Sequence, residues 1–412
     1  MARFLLGVLG LALVVPALLL AIGFYGATLD EPYEFDFESA RQVRVGEPTA
    51  LVPGPGIPGE ARIDRSTNNL DVTRFGDRFF LAVRTAPHHF ATDEARILVL
   101  SSPDRRAWKL ETEIDLERRD LREPRFLVFG DRLFLYFVEL GDDPLAFRPI
   151  SIRWTRRDRS GRWSESERMF EEGHVVWRVL EHDGRAWMSV YHGARLYDDL
   201  GEAGAVRLLV SDDGQEWVSI SGAASPIDFP GASECAFQFD SEGNLVALVR
   251  VESYGAMVCT APADRLTRWD CTPTRHRHDS PLLLREGDAF WAVARRSLGG
   301  AFATGQEWLP GRAGLGWSML RYSATRKRTA LYWILPEERR SVPVLDLPSR
   351  GDTAFASNVA LGGGRHWIVN YTSPLDGRDW PWIGGQLLGS VVVGLEIELP
   401  PDGPRPPARG SP

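Results

Sequence analysis

One pattern recurs six times along this chain of 412 residues. A polar or acidic residue leads into a short apolar strand, a Gly-containing turn and a second apolar strand. The turns fall at Gly76, Gly130, Gly184, Gly243, Gly287 and Gly364, at spacings of 54, 54, 59, 44 and 77. Each copy reads as a β-hairpin with Gly where a positive φ is needed. A second pattern follows: another apolar strand, a polar turn, then Trp. It ends at Trp108, Trp163, Trp217, Trp269 and Trp333, which are 55, 54, 52 and 64 apart. Each repeat thus holds about four strands in roughly 50 residues, the size of a propeller blade. Long amphipathic helices between the strands are absent, which excludes a parallel α/β sheet, and a β-sandwich would not give this four-beat repeat. The pattern predicts an all-β fold, a six-bladed β-propeller. Length alone suggests two or three domains at about 150 residues each; the repeats reduce that to one ring.

The sixth repeat has a third strand, VVVGLEIEL, but no Trp strand after it. Spare material around ARQVRVGEPTALV precedes the first hairpin and is expected to supply the missing outer strand of the last blade. Such closure removes exposed edges. The ring is therefore assigned to residues 35–400. The segment before it, residues 1–30, carries no charge from Phe4 to Leu29, with Arg3 in front and Asp30 and Glu31 behind. That run is long enough to span a bilayer as an N-terminal hydrophobic helix, either an uncleaved signal-anchor or a cleaved signal peptide. Both readings export the ring to a periplasmic or extracellular face, membrane-anchored in the first and secreted in the second. Residues 401–412 are Pro-rich and expected to be disordered. Outside the cytoplasm a disulfide is permitted, and Cys259 and Cys271 flank a strand connection that suits one; Cys235 is left over. The net charge of −8 argues against a nucleic-acid partner. His276 and His278 alternate in HRHD, but no further ligand set accompanies them, so no metal is expected, nor any other cofactor.

In a propeller the innermost strands face the central channel and the loops at one face build the site. The residues entering those strands are the first candidates: Asn68, Asp71, Glu123, Arg125, Arg178, Glu234, Asp279 and Asn358. The alternative is that they line the channel and pair with one another.

SDDGQEW, from Ser211 to Trp217, resembles the Asp-box of sialidases, and SPDRRAW, from Ser102, is similar with Arg105 in place of Gly. The Asp of such a box caps the backbone amides of its own turn, marking the fold rather than the chemistry. The fourth repeat, SECAFQFDSEGNLVALVR, resembles the sialidase stretch in which a Glu enters an inner strand and an Arg ends the next. Here those are Glu234 and Arg250. The resemblance implies that Glu234 activates a nucleophilic Tyr and that Arg250 binds a carboxylated sugar. A Tyr suits an anionic substrate, which an anionic nucleophile would repel. By the same resemblance Tyr371 is the nucleophile, Asp93 the general acid, and Arg312 a further carboxylate-binding residue. Arg84 ends the strand before the Asp93 loop and adds to the anion pocket. Asn68, Glu123, Arg178 and Asp279 complete the expected substrate-binding set. One element departs from the family: where it carries an Arg-Ile-Pro motif, this chain reads STNNLDV, with Asn68 or Asn69 in the place of the first arginine. Two functions follow as expectations. The first is an exported, membrane-anchored glycoside hydrolase of sialidase-like type acting on a terminal sugar, neutral or anionic. The second is a propeller that binds a glycan or protein at the cell surface without cleaving it. The expected partners are a carbohydrate or glycoconjugate and, through the N-terminal helix, the membrane.

Overall fold

The computed structural model of the chain describes residues 33–404 apart from 145, 194–204, 228, 230, 253, 254, 275, 300–316, 318 and 319. Two short strands, β1 (Arg44–Val45) and β2 (Thr49–Val52), precede six antiparallel sheets. Blade 1 is β3 (Ser66–Phe75), β4 (Arg78–Ala86), β5 (Arg96–Ser102) and β6 (Lys109–Ile114). Blade 2 is β7 (Asp120–Phe129), β8 (Arg132–Leu140), β9 (Pro149–Arg157) and β10 (Glu167–Met169). Blade 3 is β11 (His174–His182), β12 (Arg185–His192), β13 (Val206–Ser211) and β14 (Val218–Ser219). Blade 4 is β15 (Ala232–Phe239), β16 (Leu245–Val251), β17 (Gly255–Ala261) and β18 (Asp270–Pro273). Blade 5 is β19 (Asp279–Glu286), β20 (Ala289–Ser297), β21 (Lys327–Leu335) and β22 (Arg340–Leu347). Blade 6 is β23 (Ala354–Gly362), β24 (Arg365–Thr372) and β25 (Val391–Glu398). In it, β25 pairs with β1 through Arg44 and Glu398 and with β2 through Val52 and Val392, so the N-terminal segment supplies the outer edge of the last blade. This is an all-β, six-bladed propeller.

The expected hairpins form at all six turns. At the third, Asp183 and Gly184 both take positive φ (50° and 71°), the backbone that a tight two-residue turn needs. The Trp pattern holds in four blades, where Trp108, Trp163, Trp217 and Trp269 stand before the outer strand. Blade 5 corrects it. Trp333 lies within the third strand, β21, while residues 320–324 are helical. The spacing of 64 to Trp333, against 52–55 elsewhere, reflects the longer connection between β20 and β21. The turns at Ser102–Trp108 and Ser211–Trp217 fold alike. Asp104 Oδ1 accepts from the amides of Arg106 and Ala107, and Asp213 Oδ1 from those of Gln215 and Glu216, at 2.7–3.0 Å. Arg105 takes φ 64°, where Gly214 takes 76°.

Large side chains fill the spaces between blades: Trp177, Trp291, Phe80, Phe134, Phe137 and Phe237 are fully buried. Several inner polar residues staple neighbouring blades. Asp71 accepts from the Phe126 amide at 2.7 Å and the Ser357 hydroxyl at 2.6 Å, joining blades 1, 2 and 6. Arg178 donates to the carbonyls of Pro281 and Ala356, at 3.0 and 2.8 Å, joining blades 3, 5 and 6. Cys259 and Cys271 face each other across β17 and β18 and form a disulfide. Cys235 is free and buried, and burial holds its thiol well above the usual range. Residues 1–32 and 405–412, which include the apolar N-terminal run and most of the Pro-rich tail, lie outside the described residues. No helix of the described residues is long and apolar enough to cross a membrane.

Candidate functional site

Every inner strand slips register near its start. The slips fall between Asn68 and Leu70, Arg122 and Arg125, Val176 and Arg178, Ala232 and Cys235, Asp279 and Leu282, and Ala354 and Ser357. Four of the bulged residues are non-glycines in the left-handed region: Asn69 (φ 45°), Glu123 (53°), Ser280 (51°) and Phe355 (58°). Such a backbone costs about 1–3 kcal/mol per residue and persists where the surroundings enforce it. A bulge re-aims one side chain out of the alternation of the strand. Asn69, Glu123, Glu234, Ser280 and Phe355 accordingly converge on one cavity of about 350 Å³ at the mouth of the ring. The loops between second and third strands supply its walls: His89, Phe90 and Ala91 from blade 1, Phe147 from blade 2, and Trp382 and Gln386 from blade 6.

Among the described residues three arginines reach this cavity, Arg122 from blade 2, Arg250 from blade 4 and Arg295 from blade 5. Arg250 is clamped by three carboxylates: Glu234 at 2.9 Å, Glu252 at 2.8 Å and Asp279 at 2.8 Å. Asp279, fully buried, also accepts the Tyr322 hydroxyl at 2.7 Å and pairs with Arg277 at 3.2 Å. These cations hold its carboxyl far below the usual range despite burial, which alone would raise it. Arg295 lies between the rings of Tyr322 and Trp382, with Asp279 and Asp352 no nearer than 3.9 Å. Its Nε has no hydrogen-bond partner among the described residues. Arg122 is oriented by Asp120 and by the His89 carbonyl, which accepts from it at 2.7 Å.

The carboxyls differ in state. Glu234 accepts from the Ser280 amide at 2.6 Å in addition to Arg250. Glu123 pairs with Arg125 at 3.6 Å, and its buried Oε2 has no hydrogen-bond partner among the described residues. Burial pushes the Glu123 carboxyl up to about 8, against the pull of Arg125 and with a further push from Glu234. At neutral pH it is a buried acid carrying its proton.

A third group completes the cavity. His89 Nδ1 lies 2.5 Å from Asp352 Oδ2, and Tyr371 donates to Asp352 Oδ1 at 3.1 Å. Burial lowers the His89 pKa, so the ring is neutral, with Nδ1–H on Asp352 and Nε2 as acceptor near the Asn69 amide. The short helix of the blade 6 loop, α1 (Trp382–Leu388), fixes this arrangement. The Gln386 carbonyl accepts from the His89 amide at 3.1 Å. Gly385 sits so close to Asp352 that a Cβ there would lie 2.3 Å from the Asp352 nitrogen.

Set against the expected site, the structure brings Glu234, Arg250 and Glu123 together at the cavity. Asp279 stands behind them as the residue that orients Arg250. The others require correction. Arg84 is 0% exposed and forms a bidentate pair with Asp120, at 3.0 and 2.7 Å, so Arg122 takes its place at the cavity. Asn68 is turned inward onto Ser66 and Arg84, and its neighbour Asn69 faces the cavity instead. Arg178 staples three blades below the cavity, on the channel side that Asp71 and Asn358 line. Asp93 is in the expected loop, yet it is solvent-exposed and it is His89 of that loop that lines the cavity. Tyr371 is 0% exposed and hydrogen-bonded to Asp352, whereas Glu234 is engaged by Arg250 and Ser280; the expected Tyr–Glu couple is not formed. Arg312 lies outside the described residues, and among those described blade 5 presents Arg295 to the cavity. Sequence reasoning missed Arg122, Arg295, Asp352 and Trp382. The only signal for two of them was an Arg one or two residues from a strand end.

No family model and no curated protein matches the sequence. Solved structures match it at the level of fold. A protein of unknown function from Dyadobacter fermentans superposes with a TM-score of 0.60 at 14% identity, over 87% of this chain and 100% of that one. A Trypanosoma rangeli sialidase gives 0.56 at 12% identity, over 81% of this chain and 55% of the sialidase. A Hadza microbial sialidase gives 0.50 at 10% identity, over 80% and 65%. The chain thus has a sialidase-like propeller fold and spans about half the length of the trypanosomal enzyme.

Proposed function

We propose that the cavity binds a terminal acidic sugar of a glycan or glycoconjugate. What supports this reading most is the convergence of Arg122, Arg250 and Arg295, from three blades, on one cavity of sugar size. Arginine forks hold carboxylates with two parallel, charge-assisted bonds. Arg295 has a buried donor still unspent, and Phe147, Phe355 and Trp382 offer apolar faces beside the charges. By analogy, the sialidase-like fold makes a sugar the natural ligand class. Titration calorimetry tests it with sialic acid, a uronic acid and a neutral hexose. The acids should bind and the neutral sugar should not. Arg295→Gln should weaken the acid by at least about tenfold, since a hydrogen bond to a charged group contributes roughly 1.5–3 kcal/mol. Equal binding of acid and neutral sugar would remove the arginines from recognition.

Hydrolysis is a second reading, favoured by one observation: Glu123 keeps its proton near neutral pH, as a general acid must. Neutral His89, held by Asp352, is then the group able to accept a proton from water. Fluorogenic glycosides separate the two readings. Turnover by the wild type that Glu123→Gln abolishes and Tyr371→Phe retains supports this mechanism, and turnover retained by Glu123→Gln rejects it.

A further inference from the structure

We propose that the face of the ring that carries the cavity docks on a lipid bilayer, with Ile383, Leu387 and Leu388 of α1 seated in the interface. This inference does not rest on the sugar reading. Large exposed apolar side chains are few among the described residues, and four of them gather on this face: Leu320 (48% exposed), Ile383 (39%), Leu387 (48%) and Leu388 (50%). They lie on the second-to-third-strand loops of blades 5 and 6. The two loops are joined where the Trp382 amide donates to the Thr325 carbonyl at 3.0 Å and where the Tyr322 and Trp382 rings meet at 5.1 Å. The sequence carries no charge from Trp380 to Leu395, and Trp380 and Trp382 flank the helix start. The helix is two-sided: Trp382 and Gln386 face the cavity, while Ile383, Leu387 and Leu388 face solvent. Apolar residues with Trp beside them on an exposed helix face are the composition of an interfacial helix.

The place where the chain leaves the ring names the partner. The Tyr33 ring packs on His276, in the loop between β18 and β19, at 4.5 Å, and under Arg296, at the end of β20, at 4.3 Å. Both neighbours lie at the face where the cavity opens, because the loops after second and fourth strands build that face. From Tyr33 the chain runs to the opposite face, where Arg44 pairs with Glu398. Residues 1–32 therefore join the ring on the cavity side, and they contain the uncharged run Phe4–Leu29, long enough to span a bilayer. An anchor attached there and an apolar helix on the same face place the same surface toward lipid. A cavity opening on that side meets sugars carried at the bilayer surface.

The test uses the full chain in phosphatidylcholine vesicles, with a nitroxide at Leu387→Cys or, on the opposite face, at Asp77→Cys. Cys235 is buried, and Cys259 and Cys271 are disulfide-bonded, so neither background competes for the label. The expected result is a label at 387 shielded from a water-borne relaxant and reached by oxygen, at a depth of about 5–10 Å below the headgroups, with the reverse at 77. Equal aqueous exposure of the two labels overturns the proposal. So does shielding at 387 accompanied by dipolar broadening between chains, which would make the face a contact between copies. Leu388→Cys repeats the measurement should Leu387→Cys fail to fold. Sugar titration of the same protein in detergent micelles reads the cavity separately, so loss of sugar binding with retained depth would reject the sugar reading and leave the docking intact.

Discussion

Glu123 illustrates how one backbone angle sets the chemistry of a side chain. Its left-handed bulge turns a carboxyl into the cavity, where Arg125 stands at 3.6 Å and its buried Oε2 has no hydrogen-bond partner among the described residues. The proton is retained up to about 8, well above the ordinary 4.5. The sign of the linkage is fixed by that direction. Below the unfolded value both states are protonated and the contribution of Glu123 to stability is complete. As pH rises from 4.5 to about 8 the unfolded chain ionises while the fold holds its proton, so this stability is lost progressively. Glu123→Gln cannot titrate. Its urea midpoint should therefore gain on the wild type by the equivalent of a few kcal/mol between about pH 5 and about pH 9. Parallel curves would show that Glu123 ionises normally. The residue scale is also where the sequence was least legible. Glu234 was found because it enters an inner strand, and Arg250 through the resemblance of the fourth repeat to the sialidase stretch. Arg84 and Arg122 have equal claims in the letters, and only burial separates the bidentate partner of Asp120 from the cavity arginine. Tyr371 matches a nucleophile by position, yet its hydroxyl is drawn to Asp352, a residue in no recurring pattern.

At the scale of elements, the strands and turns were legible because their signals are local. A Gly between two apolar runs specifies a hairpin whatever surrounds it. The six bulges were not; four of them place Asn69, Glu123, Ser280 and Phe355 in the left-handed region, residues that carry no such signature in sequence, and the crowding of the ring enforces it. The α1 helix was missed for a related reason: it is only seven residues, with two glycines. One of those glycines explains its own presence. Because a Cβ at Gly385 would meet the Asp352 nitrogen at 2.3 Å and the Ser373 hydroxyl at 2.9 Å, Gly385→Ala must push α1 outward. The shift would pull the Gln386 carbonyl from the His89 amide and loosen the His89–Asp352 contact. Overpacking of this kind costs typically about 1–3 kcal/mol. The expected signature is a modest loss of stability together with a rise in the His89 pKa, followed by NMR, as burial is relieved. A variant as stable as the wild type with an unchanged imidazole titration would show that α1 has room to spare.

Across the whole molecule, the repeat count predicted one ring, and the closure of that ring was readable as a missing strand. The physical reason is that the sixth blade ends at β25, whose outer edge is open unless another segment pairs with it. β1 and β2 fill that edge from the other end of the chain, with Val52 fully buried and Leu51 and Val43 nearly so. A ring closed this way ties the two ends of the fold into one cooperative unit. Two truncations separate this role from that of the segment before it. A chain beginning at residue 33 keeps β1, β2 and the Tyr33 contacts, and should unfold in urea at the midpoint of the full chain in detergent. A chain beginning at residue 53 loses the closure. Burying an aliphatic side chain contributes about 1.5–3 kcal/mol, so losing Leu51 and Val52 alone removes roughly 3–6 kcal/mol. That is a large share of a typical stability of about 5–15 kcal/mol. The bared edge of β25 should also drive association through its unpaired amides and carbonyls. A shortened chain that remained monomeric with an unchanged midpoint would mean that the ring holds without its clasp, and that face-to-face packing of blades 1 and 6 carries the closure instead.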